Sequence, residues 1–323
     1  MTERLRAAVG DDVSAILELA EAHLDDDQRY QATFWRRAGG SREQQATYLR
    51  SRLTGEGVVA YVHEAGDRVD GLIVANLVSA PPVYQPGGPV ALIDDFAVRA
   101  PSDWTAVGRL LLQAATAEAR EKGAVVTAVV AGQHADGKRR LLSRAGYSPA
   151  SEWHLIGLDL ASGEARDDQI RPADLADLPA IVELADQRRS TYQTFQPIFW
   201  RNAPDARERQ RPFLERIVRT GSAIGLVHAR QGQVDGFVIG SLIPSPAVFG
   251  SERATCLIDD FHVSVPDSWR DVGRALLQSA NREARNRGAA QTAVICGRLD
   301  RPKRDTLEAA GLVVSSEWWL KPP

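Results

Sequence analysis

The sequence contains one long internal repeat. When the 323-residue chain is shifted along itself by 165 positions, residues 58–155 align with residues 223–320 without a gap, and about two in five aligned positions are identical. Self-similarity over so long a period means that one folding unit occurs twice, each copy being long enough to bury its own core. We therefore predict two tandem domains, residues 1–161 and 162–323, joined by a short polar linker near Ala161.

Composition places the chain among ordinary folded proteins. Apolar residues make up 44% and charged residues 25% of it, which favours a folded chain throughout. No run of apolar residues is long enough to span a bilayer and the first residues lack a signal-peptide pattern, so we expect a cytoplasmic protein without a membrane partner. Cys256 and Cys296 lie in apolar, strand-like runs, which favours buried thiols over a disulfide or a metal site.

The balance of charges bears on the partners. The formal net charge is −3, and neither copy is strongly basic. A nucleic-acid-binding protein usually carries a basic face or domain, so DNA and RNA are disfavoured and a small molecule is the expected partner.

Each copy has the same order of predicted elements. Helical spacing from Val13, and again from Gln45, predicts two helices, which are followed by a strand hairpin. A strand, a helix, a strand, a helix and a last strand complete the copy, the final helix ending before Gly146 as C-cap. The predicted fold class is α+β (α/β), with a βαβ core in each copy.

A strand, loop and helix unit with fixed spacing occurs in both copies. Val98 precedes Gly108 by ten residues, and Val263 precedes Gly273 by the same number. In both cases the glycine opens a helix, whose free N–H groups and positive dipole end suit a pyrophosphate. This unit, with the closing segment 143–147, resembles the signature of the GNAT superfamily of N-acyltransferases.

The resemblance implies two tandem GNAT-like domains, each a mixed central sheet flanked by helices. It also implies acetyl-CoA, or another acyl-CoA, as cosubstrate, without a metal. The residues expected to contact it are Phe96, Ala97, Val98, Val107, Gly108 and Arg109 in the first copy, and Phe261, His262, Val263, Val272, Gly273 and Arg274 in the second.

The phosphate loop departs from the family signature in both copies. The usual Arg or Gln is Asp103 in the first copy and Ser268 in the second, and the first glycine is Ala106 and Asp271. A carboxylate directed at a pyrophosphate is repelled, and a side chain on the loop hinders close approach of the backbone. Since Ala106 is the milder change, we expect the first copy to be the better acyl-CoA site.

Two adjacent carboxylates lie inside the apolar strand that precedes each loop. Burying them without a purpose is costly, which favours a functional role. The segment is similar to one in spermidine/spermine-type acetyltransferases, and this resemblance implies Asp94 and Asp259 as general bases and Asp95 and Asp260 as amine-binding residues. The alternative is that strand alternation turns one carboxylate of each pair to solvent or into an ion pair.

Two further features are compared with the spermidine/spermine-type acetyltransferases: the general acid and the acceptor pocket. In those enzymes a Tyr protonates the departing thiolate, but Leu142 and Leu307 occupy the corresponding positions in this sequence. Trp35 and Trp200 lie in repeated Phe-Trp-Arg segments, which either line an acceptor pocket or anchor the core.

These observations favour an acyl-CoA-dependent N-acyltransferase that acts on a small amine, with the second copy as an internal pseudo-dimer partner and a homodimer left open. Three alternatives remain. They are a tandem synthase resembling mycothiol synthase with one degenerate copy, a non-catalytic protein that binds acyl-CoA or a metabolite, and an aminoacyl-tRNA-dependent ligase on paired GNAT domains, which the charge disfavours.

Overall fold

The computed structural model of the protein describes residues 3–30, 41–53, 55–160, 167–244 and 254–322. In this part of the chain, helices pack against one large mixed sheet, as the predicted fold class requires. The α-helices are α1 (Val13–Tyr30), α2 (Ser41–Leu53), α3 (Val107–Glu121), α4 (Asp136–Arg144), α5 (Leu178–Phe195), α6 (Ala206–Thr220), α7 (Val272–Asn286) and α8 (Arg301–Ala309). The strands are β1 (Glu3–Ala7), β2 (Val58–Ala65), β3 (Arg68–Val78), β4 (Val90–Val98), β5 (Val126–Gly132), β6 (Ser148–Gly157), β7 (Ile170–Pro172), β8 (Ile224–Arg230), β9 (Gln233–Ile243), β10 (Thr255–Val263), β11 (Gln291–Gly297) and β12 (Val313–Lys321).

Both faces of the sheet are covered, which explains the nearly continuous apolar runs in its strands. Along β3, Ile73 and Ala75 face the core that contains α3 and α4, whereas Leu72 and Val74 face the core that contains α1 and α2. The second copy repeats this arrangement with α7 and α8 on one face and α5 and α6 on the other. The sheet is therefore the middle of three layers.

Several local predictions are confirmed. Helices α3 and α7 begin at Val107 and Val272, and α4 and α8 are each followed by a glycine in the left-handed region, at φ 83° for Gly146 and 84° for Gly311. The short strands β1 and β7, which open the two copies, were not predicted from the sequence. None of the described helices combines the length and the apolar character that crossing a membrane requires.

The two copies form one continuous sheet by exchanging their last strands. The strand order is β1-β2-β3-β4-β5-β12-β6-β11-β10-β9-β8-β7. Strand β12 of the second copy pairs with β5 of the first, β6 of the first pairs with β11 of the second, and β6 and β12 pair with each other. The domain boundary near Ala161 stays a prediction, since residues 161–166 lie outside the described part. Strand pairing nevertheless joins residues from the two sides of this boundary.

A buried carboxylate on β6 joins the two copies. Glu152 is fully buried and interacts with His154 at 3.1 Å, with Arg304 at 2.7 Å and with Arg298. Burial alone would raise the pKa of Glu152, but the hydrogen bonds from His154, Arg298 and Arg304 outweigh it and lower the pKa to about 2. Glu152 is therefore an anion held by two arginines of the other copy.

The equivalent carboxylate on β12 makes the reciprocal bridge. Glu317 lies opposite Glu152 in the β6–β12 ladder and is 2% exposed. It accepts hydrogen bonds from Arg139 of the first copy at 2.9 Å and from Trp319 Nε1 at 2.9 Å. Each copy thus supplies an arginine to the last strand of the other.

Candidate functional site

The first carboxylate of each pair is located where two strands part. Strand β4 pairs with β3, and a register shift in this pairing leaves Asp94 without a partner between Ile93 and Asp95. On its other side, β4 pairs with β5 only over Val90–Ile93. The second copy has the same shift between Ile258 and Asp260. Bulges of this kind redirect side chains and occur often beside active sites.

The two carboxyl groups of the first copy have few partners. Asn76 Nδ2 lies 3.4 Å from Asp94 Oδ1, which also accepts the backbone N–H of Asp95 at 3.2 Å. Desolvation raises the pKa of Asp94, while desolvation together with the charge of Asp94 raises the pKa of Asp95 to about 7. A carboxyl group with a pKa near neutrality is suited to accepting a proton at working pH.

The two carboxyl groups of the second copy have different partners from those of the first copy. Asp260 is buried, lies 3.1 Å from Arg188 Nη2 and accepts a hydrogen bond from Gln210 Nε2 at 2.7 Å. Within the described ranges Asp259 has no ion pair and no hydrogen bond to another residue, and desolvation together with the charge of Asp260 raises its pKa. In this copy one carboxylate of the pair is an ion-pair partner, which is the structural alternative that strand alternation allowed.

The start of α3 has the features of a phosphate site. Within the described chain, the N–H groups of 107–109 donate to no backbone acceptor. Asp103, which the sequence suggested would face a phosphate, turns back instead, because its Oδ2 accepts the N–H of Ala100 at 3.2 Å and caps the short helix Pro101–Thr105. The free N–H groups are therefore not opposed by that carboxylate.

A tryptophan fills the space between the first turns of α3 and α4. The ring of Trp104 packs edge-on against Phe96 at 4.9 Å. A Cβ atom at Gly108 would come within 2.9 Å of Trp104, and one at Gly137 within 2.3 Å, so both glycines are needed to accommodate the ring. Trp104 thus anchors the loop, and it lies beside the point where β4 and β5 part.

A buried lysine closes the same space in both copies. Lys138 Nζ lies 5.6 Å from the centre of the Trp104 ring and 3.5 Å from the carbonyl oxygen of Val130 on β5. In the second copy Lys303 is fully buried and donates to Ile295 O at 2.9 Å. Desolvation lowers the pKa of Lys303.

The other residues expected to contact the donor in the second copy are packed tightly. Phe261 and Trp269 are buried and meet at 4.7 Å, and a Cβ atom at Gly273 would lie 2.5 Å from Trp269. Burial of His262 lowers its pKa to about 3, so the ring is neutral at physiological pH. Ala97, Val98, Val263 and Val272 are buried, whereas Arg109 and Arg274 are exposed.

A groove with only basic charged side chains runs between α3 and α4 of the first copy. It has a volume of about 570 Å³, Trp104 lines it, and its lining includes no carboxylate. We call it the basic groove. Its basic residues are Arg109, Arg120, Arg140, Arg144 and Lys321.

A second cavity of about 500 Å³ lies between the copies, and we call it the inter-copy cavity. It reaches Asp259 and Asp260, and Trp200 lines it while also packing in a core cluster with Tyr192. Trp200 therefore packs in the core and also borders the cavity, while its role in binding an acceptor stays a prediction, and Trp35 lies outside the described residues. The aromatic residues of the cavity are Tyr84, Trp153, Tyr192, Phe199, Trp200, Phe213 and Trp318.

The positions expected to carry a general acid are core positions. Leu142 and Leu307 are fully buried. Tyr147, a nearby hydroxyl, is 5% exposed, and burial raises its pKa. These three positions offer no accessible proton donor. Lys138 and Lys303 were not predicted as site residues, although their presence at equivalent positions of both copies is a signal that could have identified them.

Comparison with known proteins supports the fold. No protein-family model and no curated protein matches the sequence. Among solved structures, the chain is similar to a GCN5-related N-acetyltransferase from Sphaerobacter thermophilus, with 18% identity, a TM-score of 0.59, and coverage of 98% of this chain and 94% of that one. It is also similar to a tandem GNAT protein from the clavulanic acid biosynthesis pathway, with 15% identity, a TM-score of 0.51, and coverage of 99% and 98%.

A third similar structure is a GCN5-related glucosamine N-acetyltransferase region of a fungal multi-domain β-N-acetylglucosaminidase, with 13% identity and a TM-score of 0.57. That match covers 99% of this chain and 38% of the other. The protein has the tandem GNAT fold, and its mixed sheet with flanking helices is as predicted. At these identities, likeness defines the architecture, and the chemistry must be argued from the site.

Proposed function

We propose that the protein is an acyl-CoA-dependent N-acyltransferase that acts on a small amine, with the donor site in the first copy. One observation carries this proposal. Trp104 connects three features: it packs against Phe96, two residues after Asp94 on β4, it lies against Gly108 at the open start of α3, and it lines the basic groove. Carboxyl groups for proton transfer and a surface for phosphates are therefore adjacent.

The phosphate end of an acyl-CoA fits the residues present. Free N–H groups at 107–109 and the exposed guanidinium of Arg109 suit the pyrophosphate, and Arg140 and Arg144 suit a further phosphate. The thioester arm fits only if the Trp104 ring leaves the space between α3 and α4, since that ring and Lys138 fill it. We therefore expect donor binding to require rotation of Trp104.

The carboxyl pair would handle the proton of the acceptor. An ammonium group has no lone pair for attack, so Asp94 or Asp95 must take its proton, and the raised pKa of both favours this transfer. The amine nitrogen then forms a bond to the acyl carbon and loses its second proton to solvent, the carbon–sulfur bond breaks, and the thiolate leaves. Because Leu142 replaces the usual acid, the thiolate would take its proton from solvent.

Titration calorimetry with acetyl-CoA, paired with an assay of thiol release in the presence of amines, tests the proposal. Arg109 and Arg140 would each make an exposed charge contact with a phosphate, of about 0.7 kcal/mol. Removing both in the double variant Arg109→Ala, Arg140→Ala should therefore weaken acetyl-CoA binding roughly tenfold. Arg274→Ala, at the position equivalent to Arg109, should leave affinity unchanged. Equal affinity in all three proteins would exclude the basic groove as the donor site.

The filled space between the parted strands favours a second candidate, a non-catalytic protein that binds acyl-CoA or a metabolite. Trp104 with Lys138, and Trp269 with Lys303, occupy that space in the two copies. Acetyl-CoA binding without thiol release, across a panel of amines and from pH 6 to pH 9, would favour this candidate. Release that depends on an amine would reject it.

A further inference from the structure

The walls of the inter-copy cavity are held in place by both copies. The segment between β3 and β4 of the first copy crosses the second copy and is fixed by backbone hydrogen bonds from Gln85 N to Arg201 O, at 2.8 Å, and from Ala203 N to Val83 O, at 3.0 Å. The ring of Tyr84 lines the cavity from this segment. The cavity is therefore preformed, and its volume is in the range of small-molecule sites.

The charged side chains that line the cavity are paired, with one exception. Each lining arginine has a carboxylate partner, whereas Asp259 has no ion pair, and no hydrogen bond to another residue, within the part of the chain that the structure describes. The pairs are Arg188 with Asp260 at 3.1 Å, Arg189 with Asp186 at 3.0 Å, and Arg209 with Asp205 at 2.7 Å. The lining side chain without an ion pair is thus a carboxylate, on which the charges of Arg188 and Lys303 act without direct contact.

The rest of the lining is largely aromatic. The ring of Trp200 contacts the ring of Tyr192 at a centroid distance of 5.0 Å and the ring of Phe199 at 5.5 Å. The ring of Trp318 lies 6.4 Å from that of Phe199. Such rings bury a flat apolar body, and their faces attract a cation. A carboxylate at one side of an aromatic cavity is complementary to a molecule with an apolar body and an ammonium group.

We infer that the inter-copy cavity binds an aromatic primary amine, with its ring among the aromatic side chains and its ammonium group against Asp259. This site goes beyond the proposed acyl transfer, which we place in the first copy, and it does not depend on it. No group transfer is assigned to the bound amine, because the donor site is placed in the first copy.

Other ligand classes fit less well. A carboxylate ligand would need Arg188, but that guanidinium is bound to Asp260 and lies 5.4 Å from the Tyr192 ring centre. An aliphatic polyamine carries several charges, and the lining offers one unpaired carboxylate for them. Its chain would also leave the aromatic surface poorly filled.

Calorimetry without any acyl-CoA compares four probes: 2-phenylethylamine, 2-phenylethanol, 3-phenylpropionate and 1,4-diaminobutane. We expect 2-phenylethylamine to bind with a stoichiometry of one and the neutral alcohol to bind at least about tenfold more weakly. The anion and the diamine should give no saturable heat. Tighter binding of 3-phenylpropionate, equal binding of the alcohol, or no binding of any probe would overturn the inference.

Variants locate the site. Asp259→Asn and Phe213→Ala should each weaken 2-phenylethylamine by about tenfold or more, because the first removes the counter-charge and the second removes a ring from the wall. Phe213 is 41% exposed, so its truncation should not disturb the core. Tyr48→Ala, at the position equivalent to Phe213, and Asp271→Asn, an exposed carboxylate outside the cavity, are the matched controls. Loss of binding in the controls, or unchanged binding in both cavity variants, would contradict this location, and thermal unfolding confirms that every variant is folded.

Discussion

The bridge at Glu152 predicts how strongly the two copies depend on each other. Glu152→Gln keeps the shape of the side chain but removes the charge that holds Arg298 and Arg304. Removing one partner of a buried ion pair typically costs 3 to 5 kcal/mol, and here the lower end applies because these arginine side chains are 38% and 20% exposed and can turn to water. The lowering of the Glu152 pKa from 4.5 to about 2 gives a similar value, ~3 kcal/mol. We therefore expect a loss of ~3 kcal/mol in the free energy of unfolding at neutral pH.

The same bridge gives this loss a pH dependence. Because the pKa of Glu152 is lower in the folded state, its contribution is complete above about pH 4.5 and is lost as the pH falls towards 2. At low pH the carboxyl group of the folded protein becomes protonated and resembles the glutamine of the variant. The difference between wild type and Glu152→Gln should therefore shrink between pH 5 and pH 2.

Urea unfolding, followed by tryptophan fluorescence at pH 7 and at pH 3, measures both effects. Glu308→Gln is the matched control, since Glu308 also bridges Arg304 but its side chain is 53% exposed, and its loss should cost less than about 1 kcal/mol. A cost below about 1 kcal/mol for Glu152→Gln at pH 7, or an equal cost at both pH values, would refute the assignment of Glu152 as a charged bridge.

Three further predictions concern packing and the candidate site. Trp104→Ala and Trp269→Ala should each lower the free energy of unfolding by about 3 to 5 kcal/mol in urea titrations, and only Trp104→Ala should strengthen acetyl-CoA binding, because it clears the space next to the basic groove. Gly71→Val should lower the melting temperature, since a Cβ atom there would lie 2.6 Å from a side-chain atom of α3, whereas Gly10→Ala, with nothing within 4 Å, should not. If amine-dependent thiol release occurs, its rate should rise as the pH passes about 7, where Asp95 loses its proton, and Asp95→Asn should abolish this inflection.

Much of the local structure could be predicted from the sequence because it follows from short-range rules. Helices α3 and α7 begin at Val107 and Val272, directly after a loop, as the sequence pattern predicts. The C-cap role of Gly146 follows from the freedom of glycine at positive φ. The exchange of β6 and β12 could not be predicted in this way. Both last strands carry the same alternation, so a strand that returns to its own copy and one that crosses to the other satisfy the same pattern.

The candidate site was predictable only in part. The paired aspartates in the strand and the helix start after the loop were predicted from the sequence, and the structure shows that Asp94 lies where β4 and β5 part. An ion pair of one carboxylate was an alternative from the sequence, but its partner Arg188 could not be predicted, because the equivalent residue in the first copy is His23 and the repeat therefore gave no signal. Long-range partners of this kind depend on how α5 is positioned over the sheet.

The exchanged strands also restrict how the two copies can diverge. The innermost strand of each copy's sheet belongs to the other copy, so a deletion that removes one copy would expose the edge of β5 or of β11 in the remaining one. Selection for a folded chain must then preserve the scaffold of both copies, whether or not both retain chemistry. Ligand-facing positions are free of this constraint, and the second copy can carry Asp271 and Arg188 while its β12 remains indispensable to the first. An architecture of this kind allows a duplicated domain to acquire a new ligand without ever becoming dispensable.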